Sequence, residues 1–313
     1  MALTLTEGNK YSTTELDRKV IDLLTKDSEV LSNLPFEEIL GNSLTYDMIT
    51  TRSGAGFYDV GDTWVESTPV ITQDTVVLKR LGGDADVDNF ILKTRSNKID
   101  VKGQVLADKV LAVKEAFLDN FWYGTFIDAK GFEGMHELLT STTYNTKQSA
   151  TANGDGAAGS SYSLQEAIDL IHEYKPTHMF MTKLMRRRIN VYLDSIGEKF
   201  TTVRDNYGKL IEYFRGIQIE VDEHLLDTES TTDAGAFESY GDDDQATIFV
   251  ISFASQACCG VQGPDSIETI PIGDLETKDA QRWRVRWYCG LKFEHLRSCS
   301  KYCGILTGSS WAA

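Results

Sequence analysis

Several residue groups in this chain carry the side-chain types of known chemistry, and each can be held against the spacing its chemistry needs. Gly154, Gly156 and Gly159 fit G-x-G-x-x-G, the turn that aims backbone N–H groups at a pyrophosphate. That turn needs an apolar strand just before it. Here Gln148, Ser149, Ala150, Thr151, Ala152 and Asn153 are small or polar, so a flexible loop is expected instead. His136-Glu137 and His172-Glu173 each open an HExxH pattern, in which two histidines one helical turn apart bind zinc. The second histidine is replaced by Thr140 in one and Pro176 in the other. Asp84, Asp86 and Asp88 have the spacing of a calcium-loop start, but its sixth position is Asn89 rather than Gly and its twelfth is Arg95 rather than Glu. The remaining histidines, at 178, 224 and 295, repeat no ligand spacing. Cys258 and Cys259 are adjacent and Cys299 and Cys303 lie four apart, neither a zinc-knuckle spacing. The five cysteines read as reduced, mostly buried thiols of a protein made in a reducing cytoplasm. No catalytic residue, cofactor or metal is therefore expected. A cytoplasmic α/β enzyme stays open as an alternative, with a site built from distant residues such as Asp222, His224 and Arg186.

The elements that would position such residues follow from periodicity. Ser12 and Glu15 form a capping box ahead of Leu16, Val20, Leu23 and Leu24, which predicts a helix over 12–26. Residues 44–94 are rich in β-branched residues and punctuated by Gly54, Gly56, Gly61 and Pro69, which predicts a long extended hairpin with a glycine-rich tip. Such a hairpin cannot bury both faces by itself and needs a partner surface. Leu106, Val110, Val113, Phe117 and Phe121 step along one face of a helix over 104–123, which Gly124 stops. Twenty residues make a rod of roughly 30 Å. Residues 140–162 read as an exposed loop. A helix begins at the box Ser163–Glu166, a short strand covers 178–181, and a second helix over 182–196 buries Met185, Ile189, Tyr192 and Ile196. Strands are expected at 216–223 and 246–253. Near the end, Trp283, Val285, Trp287, Cys289, Leu291 and Phe293 alternate with Arg282, Arg284, Arg286, Tyr288, Lys292 and Glu294, which predicts a long strand packed on one face.

The chain has 313 residues, 41% of them hydrophobic, enough to bury a core, and length suggests about two domain-sized units. The net charge of −16 argues against a nucleic-acid reader that works through clustered Lys and Arg. That charge is uneven: residues 216–277 hold 14 acids and no Lys or Arg, whereas 278–302 hold seven bases and two acids. The expectation is that these zones occupy different surfaces, with the basic strand at a boundary or near acidic partners. The N-terminus lacks the basic and apolar regions of a signal peptide, and the longest uncharged stretch, 245–264, is too polar for a membrane span.

The order of elements resembles the major capsid protein of tailed bacteriophages with the HK97 fold. Trp64, Val65 and Glu66 resemble a Trp-x-Glu pattern of the hairpin in that family; 105–123 looks like its spine helix, and Gly131, Phe132, Glu133 and Gly134 like the turn after it. Residues 163–195, with Pro176 and Met179-Phe180-Met181 between two helices, resemble the start of the axial domain. Gly216-Ile217-Gln218-Ile219 resembles the next strand, and Arg286-Trp287-Tyr288-Cys289-Gly290-Leu291 a late strand of the peripheral domain. The resemblance implies an α+β fold with four parts. These are an N-terminal arm (1–43), an extended β-hairpin or E-loop (44–80), a peripheral domain (81–150 and 265–313) with its spine helix, and an axial domain (151–264).

It also implies a non-enzymatic coat protein that assembles through pentamers and hexamers into an icosahedral shell around double-stranded DNA. The location would be the virion, and the host cytoplasm during assembly. The partners would be copies of itself, a separate scaffolding protein, a portal, decoration proteins and DNA held without sequence specificity, with no membrane. Candidate interface residues are Gly54, Gly56, Phe57, Tyr58, Trp64 and Glu66 in the hairpin, Arg186, Arg187 and Arg188, and Arg282, Arg284 and Arg286. Some members of the family crosslink a hairpin lysine. Between Thr45 and Arg80 this chain has only Lys79, far from the tip, so crosslinking is not expected. An encapsulin-like nanocompartment shell, which shares the fold, is the nearer alternative.

Overall fold

The computed structural model describes residues 28–95, 101–141, 144–148, 160–171, 174–204, 208, 210–229, 245–264, 267–307 and 311. The expected helix at 12–26, the glycine run at 154–159 and the His172–Glu173 pair lie outside them.

The chain opens with a short helix α1 (Val30–Asn33) and strand β1 (Phe36–Glu38). The hairpin strands β2 (Ser43–Thr51) and β3 (Val70–Val77) pair antiparallel in a sheet of their own. Strand β4 (Lys79–Asp88) follows. The extended stretch ends there: the Asp88 carboxylate accepts the Phe90 N–H at 2.8 Å and starts helix α2 (Asn89–Arg95), which was expected as strand. Helix α3 (Val101–Tyr123) is the long rod. Its first half is partly buried on one face. Its end is buried at Phe117, Leu118, Phe121, Trp122 and Tyr123, with Asp119 partly exposed.

After the one-turn helix α4 (Met135–Leu138) comes β5 (Thr146–Gln148), a strand inside the stretch expected as loop. Three polar residues give no pattern of their own, and β5 exists because it pairs in parallel with a later strand. Helix α5 (Ser161–Asp169) is capped by Ser160, whose hydroxyl accepts the Ser163 N–H. Ser163, the expected cap, lies inside it. Strand β6 (His178–Met181) leads to helix α6 (Lys183–Ile196), capped by Thr182 and ended by Gly197 at φ +79. Its buried face is Met185, Ile189 and Leu193, a strict four-residue step. Tyr192 is only partly buried and Ile196 is exposed. Strands β7 (Thr201–Arg204), β8 (Leu210–Phe214), β9 (Ile217–Val221), β10 (Gln245–Ile251), β11 (Cys258–Gln262), β12 (Glu268–Asp274), β13 (Ala280–Phe293) and β14 (Cys299–Leu306) complete the series.

Two larger sheets result. In the first, β13 is the hub, pairing antiparallel with β4, β11 and β12, while β1 pairs with β11. Helix α3 packs on it, and Trp287 meets Phe117 and Phe36 at 4.6 and 5.6 Å. The second is a seven-stranded mixed sheet in the order β5-β14-β10-β6-β9-β8-β7, with the apolar sides of α5 and α6 in its core. Sheet membership cuts across the expected boundary at 264/265: β11 belongs to the first sheet and β14 to the second.

The alternation in β13 runs as expected through Val285, Trp287 and Cys289, all buried. Two residues depart from it. Trp283 is only partly covered, by the Lys102 ammonium 3.6 Å above its ring. Lys292 is buried and held by Glu37 and by Glu294 at 2.9 Å.

Candidate assembly surfaces

The hairpin carries the first surface. Between β2 and β3, residues 52–69 form the tip. Nine residues in β2 alone span roughly 30 Å. Phe57, Val60, Val65 and Trp64 are exposed, Trp64 at 79%. Gly54 and Gly56 are also exposed, as is Glu66, while Tyr58 is half-buried because its ring lies 4.5 Å from that of Trp64. The Tyr58 hydroxyl accepts the Val65 N–H at 3.3 Å, and the Ser67 hydroxyl accepts the Gly54 N–H at 2.8 Å. The tip is therefore a small built knob that exposes four large apolar side chains among charged and polar ones. All six hairpin candidates fall on it, together with Val60 and Val65, which were not among the interface candidates.

The knob is tied to the body at its root. Tyr46 on β2 places its hydroxyl 2.9 Å from the Asp74 carboxylate and 2.9 Å from the Phe293 carbonyl. Burial, and then the Asp74 carboxylate, raise the Tyr46 pKa, so the hydroxyl keeps its proton to donate.

Beside the root lies a cleft of about 400 Å³. Leu81, Ala116, Ile127, Phe132 and Cys289 give it an apolar lining, and Lys79, Arg80 and Lys130 supply cations. One wall is the loop after α3, which requires glycine. Gly124 has φ +61, and a Cβ there would strike Glu137 and the Gly134 backbone. The Glu137 carboxylate ties the loop together by accepting the N–H groups of Thr125 and Gly134 at 3.0 and 3.1 Å.

The arginines of α6 form a second surface. Arg187 is exposed, and Arg186 and Arg188 are half-buried. Arg186 lies 3.9 Å from Glu212, and with Arg187 and Lys183 it lines a cleft of about 550 Å³ that also holds Glu29 and Glu220. Asp222 and His224 do not line it. The Asp222 carboxylate accepts the Ser28 hydroxyl at 2.6 Å and the His224 N–H at 2.7 Å, and burial raises its pKa. The His224 ring contacts Asp119 on α3 at 2.7 Å. These two groups fasten the chain between β9 and β10 onto the rod, and the enzyme alternative loses its proposed trio.

The third set, Arg282, Arg284 and Arg286, is brought together on one face of β13, but not as a free basic face. Arg282 makes a two-pronged pair with Asp86 at 2.6 and 2.7 Å, and Arg284 with Asp84 at 2.6 and 2.9 Å. Arg286 pairs with Glu268 at 2.7 Å. The expectation that the acidic stretch 216–277 and this strand occupy separate surfaces is thus corrected: Glu268 and Arg286 are register partners on adjacent strands. A signal was available. Asp84 and Asp86 repeat the two-residue step of Arg282 and Arg284, as cross-strand ion pairs require.

All five cysteines are buried and unbridged, and burial pushes Cys289 to about 12 and Cys303 to about 11. Among the described residues, no group of three His, Cys, Asp or Glu side chains is placed to hold a metal, and no helix is long and apolar enough to cross a membrane.

No protein-family model matches the chain, and no curated protein matches it in sequence. Solved structures do. The holo-SrpI encapsulin complex from Synechococcus elongatus PCC 7942 aligns with a TM-score of 0.73 at 12% identity, over 100% of this chain and 99% of that one. The capsid of a native GTA particle aligns at 0.65 and 14%, over 94% of each chain. The capsid of Myoviridae phage XM1 aligns at 0.62 and 14%, over 93% of this chain and 97% of that one. Identity this low makes the likeness one of fold.

Proposed function

We propose that this chain, which has the HK97-like capsid fold, is a shell subunit: a major capsid protein that assembles through pentamers and hexamers into an icosahedral shell around double-stranded DNA. The observation that carries the reading is the hairpin knob, which exposes Phe57, Val60, Trp64 and Val65 at the end of a two-stranded arm. A free monomer gains nothing from this. Aromatic side chains bury about 150–250 Å² each, so covering Phe57 and Trp64 against neighbours is worth roughly 4–6 kcal/mol apiece as an upper bound. Contacts of one patch with a different patch on the next copy close into rings, and rings into shells.

The charge distribution fits a container of DNA better than a reader of it. Arg282, Arg284 and Arg286 are consumed by carboxylates of their own chain. They leave no clustered cations there for phosphates. On this reading the subunit works in the virion and is made in the host cytoplasm, with a separate scaffolding protein, a portal and decoration proteins as partners. The hairpin (44–80) and arm (1–43) serve intersubunit contacts, and the α6 arginines lie in the axial part.

A second reading, a nanocompartment shell that encloses protein cargo, is favoured by one observation: the encapsulin alignment at TM-score 0.73 spans essentially all of both chains. Electron microscopy of the expressed chain, alone and with the genes beside its own, tests both. Closed particles with nuclease-protected double-stranded DNA support the coat reading, and particles filled with protein support the second. A chain that stays monomeric throughout refutes the shell itself.

A further inference from the structure

We infer that Cys258 and Cys299 are a peroxide-oxidised thiol pair, whose disulfide staples the two large sheets of the subunit together. The pair lies within one chain, so the inference stands or falls apart from the shell reading.

Three observations carry it. The first is placement. Cys258 opens β11 in the first sheet and Cys299 opens β14 in the second. The chain leaving β10 brings them side by side. Cys299 is the antiparallel register partner of Ile251, and Cys258 bridges Phe253, two residues further on. Between these, the Ser252 carbonyl accepts the Cys258 N–H at 3.4 Å, and the Ser252 N–H donates to the Ser298 carbonyl at 3.1 Å. Residues two apart in extended chain point to one side, and bridge partners share it. Both thiols accordingly enter one core cluster with Ile251 and Phe253, and both are fully buried.

The second is contact and polarity. The Cys258 thiol donates to the Cys299 sulfur, and the Ser298 hydroxyl lies 3.7 Å from that same sulfur. Donation to Cys299, and then burial, hold Cys258 in its protonated form. Burial opposes ionisation of Cys299, but its donors outweigh burial and lower its pKa. Cys299 is thus the nucleophile of the pair and Cys258 the resolving thiol.

The third is selectivity. The other thiols face elsewhere: Cys259 lies 3.3 Å from the Pro35 carbonyl, Cys303 lies 3.6 Å from the Lys147 carbonyl, and Cys289 lines the root cleft.

The oxidant is a hydroperoxide, of which hydrogen peroxide is small enough to reach a core that admits no bulky disulfide reagent. The Cys299 sulfur attacks one peroxide oxygen and breaks the O–O bond. Cys299 becomes a sulfenic acid, and the other oxygen leaves as water with the thiol proton. The Cys258 sulfur then displaces the sulfenic hydroxyl, which takes the Cys258 proton and leaves as a second water. Two thiols lose two electrons and the peroxide gains them. In a reducing cytoplasm the pair stays as thiols; outside it the bond forms and persists. The bond closes a long loop, which restricts the unfolded chain and ties β11 to β14.

Hydrogen peroxide added to the purified full chain tests this. The thiol count after denaturation should fall from five to three. The intact mass should drop by two hydrogens, and peptide mapping should join Cys258 to Cys299. The melting temperature should rise by about 5 °C or more, and a dithiol reductant should reverse all of these changes. Cys258→Ser should instead leave Cys299 as a sulfenic acid that dimedone traps, whereas Cys259→Ser should oxidise as the unsubstituted chain does. A thiol count that stays at five, a linkage between other cysteines, or oxygen added to methionine and cysteine without a link would each overturn the pair. None of these results depends on whether particles form.

Discussion

Arg286 on β13 donates to Glu268 on β12 at 2.7 Å, and the two residues are direct register partners where the strands join. With Arg284–Asp84 and Arg282–Asp86 they form a ladder of ion pairs across three strands, held on the face of β13 opposite the buried Trp287. Arginine N–H donation holds Asp84 and Asp86 below the usual carboxylate range. A carboxyl whose pKa is lowered on folding stabilises the fold above its unfolded pKa, about 4, and loses that contribution as pH falls through the folded value. Denaturant unfolding of Arg282→Ala and Arg284→Ala should therefore show a deficit at neutral pH that closes in acid and shrinks in high salt. A deficit independent of both would mean that packing, not charge, is what the arginines supply.

The knob separates assembly from folding. Trp64→Ala, or deletion of residues 53–63, should cut particle yield while the melting temperature of the subunit stays within a degree or two, because Trp64 is 79% exposed and touches mainly Tyr58. Thermal melts and particle counts on the same preparations measure the two effects. Equal loss of both would argue against an intersubunit role for the hairpin.

Gly124 should tolerate no side chain. Its φ of +61 and the proximity of Glu137 and the Gly134 backbone predict that Gly124→Ala costs about 3 kcal/mol or more in chemical denaturation. Gly197, whose φ is also positive but whose Cβ direction is open, should cost only about 1 kcal/mol on the same change.

Lys301 is buried in the second sheet, with its ammonium donating to the His136 carbonyl at 2.9 Å, and burial lowers its pKa to about 8. Below pH 8 both folded and unfolded states bind the proton, so the burial penalty is felt in full. Between pH 8 and about 10.5 the unfolded state binds more protons, and stability rises with pH. The shift corresponds to roughly 3 kcal/mol. Lys301→Met should remove that rise, read as the difference between the two unfolding free energies across the alkaline range. Parallel curves would show that Lys301 titrates at its ordinary value in the fold.

The sequence alone determined the elements whose pattern is local. The long helix, strand β6, helix α6 and the alternating strand β13 are set by side-chain period, which the backbone geometry of a helix or strand converts directly into one buried face. It also determined the glycine-tipped hairpin and the absence of any complete metal or nucleotide motif. Tertiary structure decided what period cannot express. Three polar residues became β5 only because β14 offers an edge, and Asp84, Asp86 and Glu268 became partners of arginines 18 to 200 residues away. The acidic stretch and the basic strand looked like two surfaces because charge was read along the chain, whereas ion pairs form across strands. The root cleft likewise has no sequence signature: β4, α3 and the loop after it each bring a few of its residues, and only their packing sets Lys79, Arg80 and Lys130 around an apolar hollow.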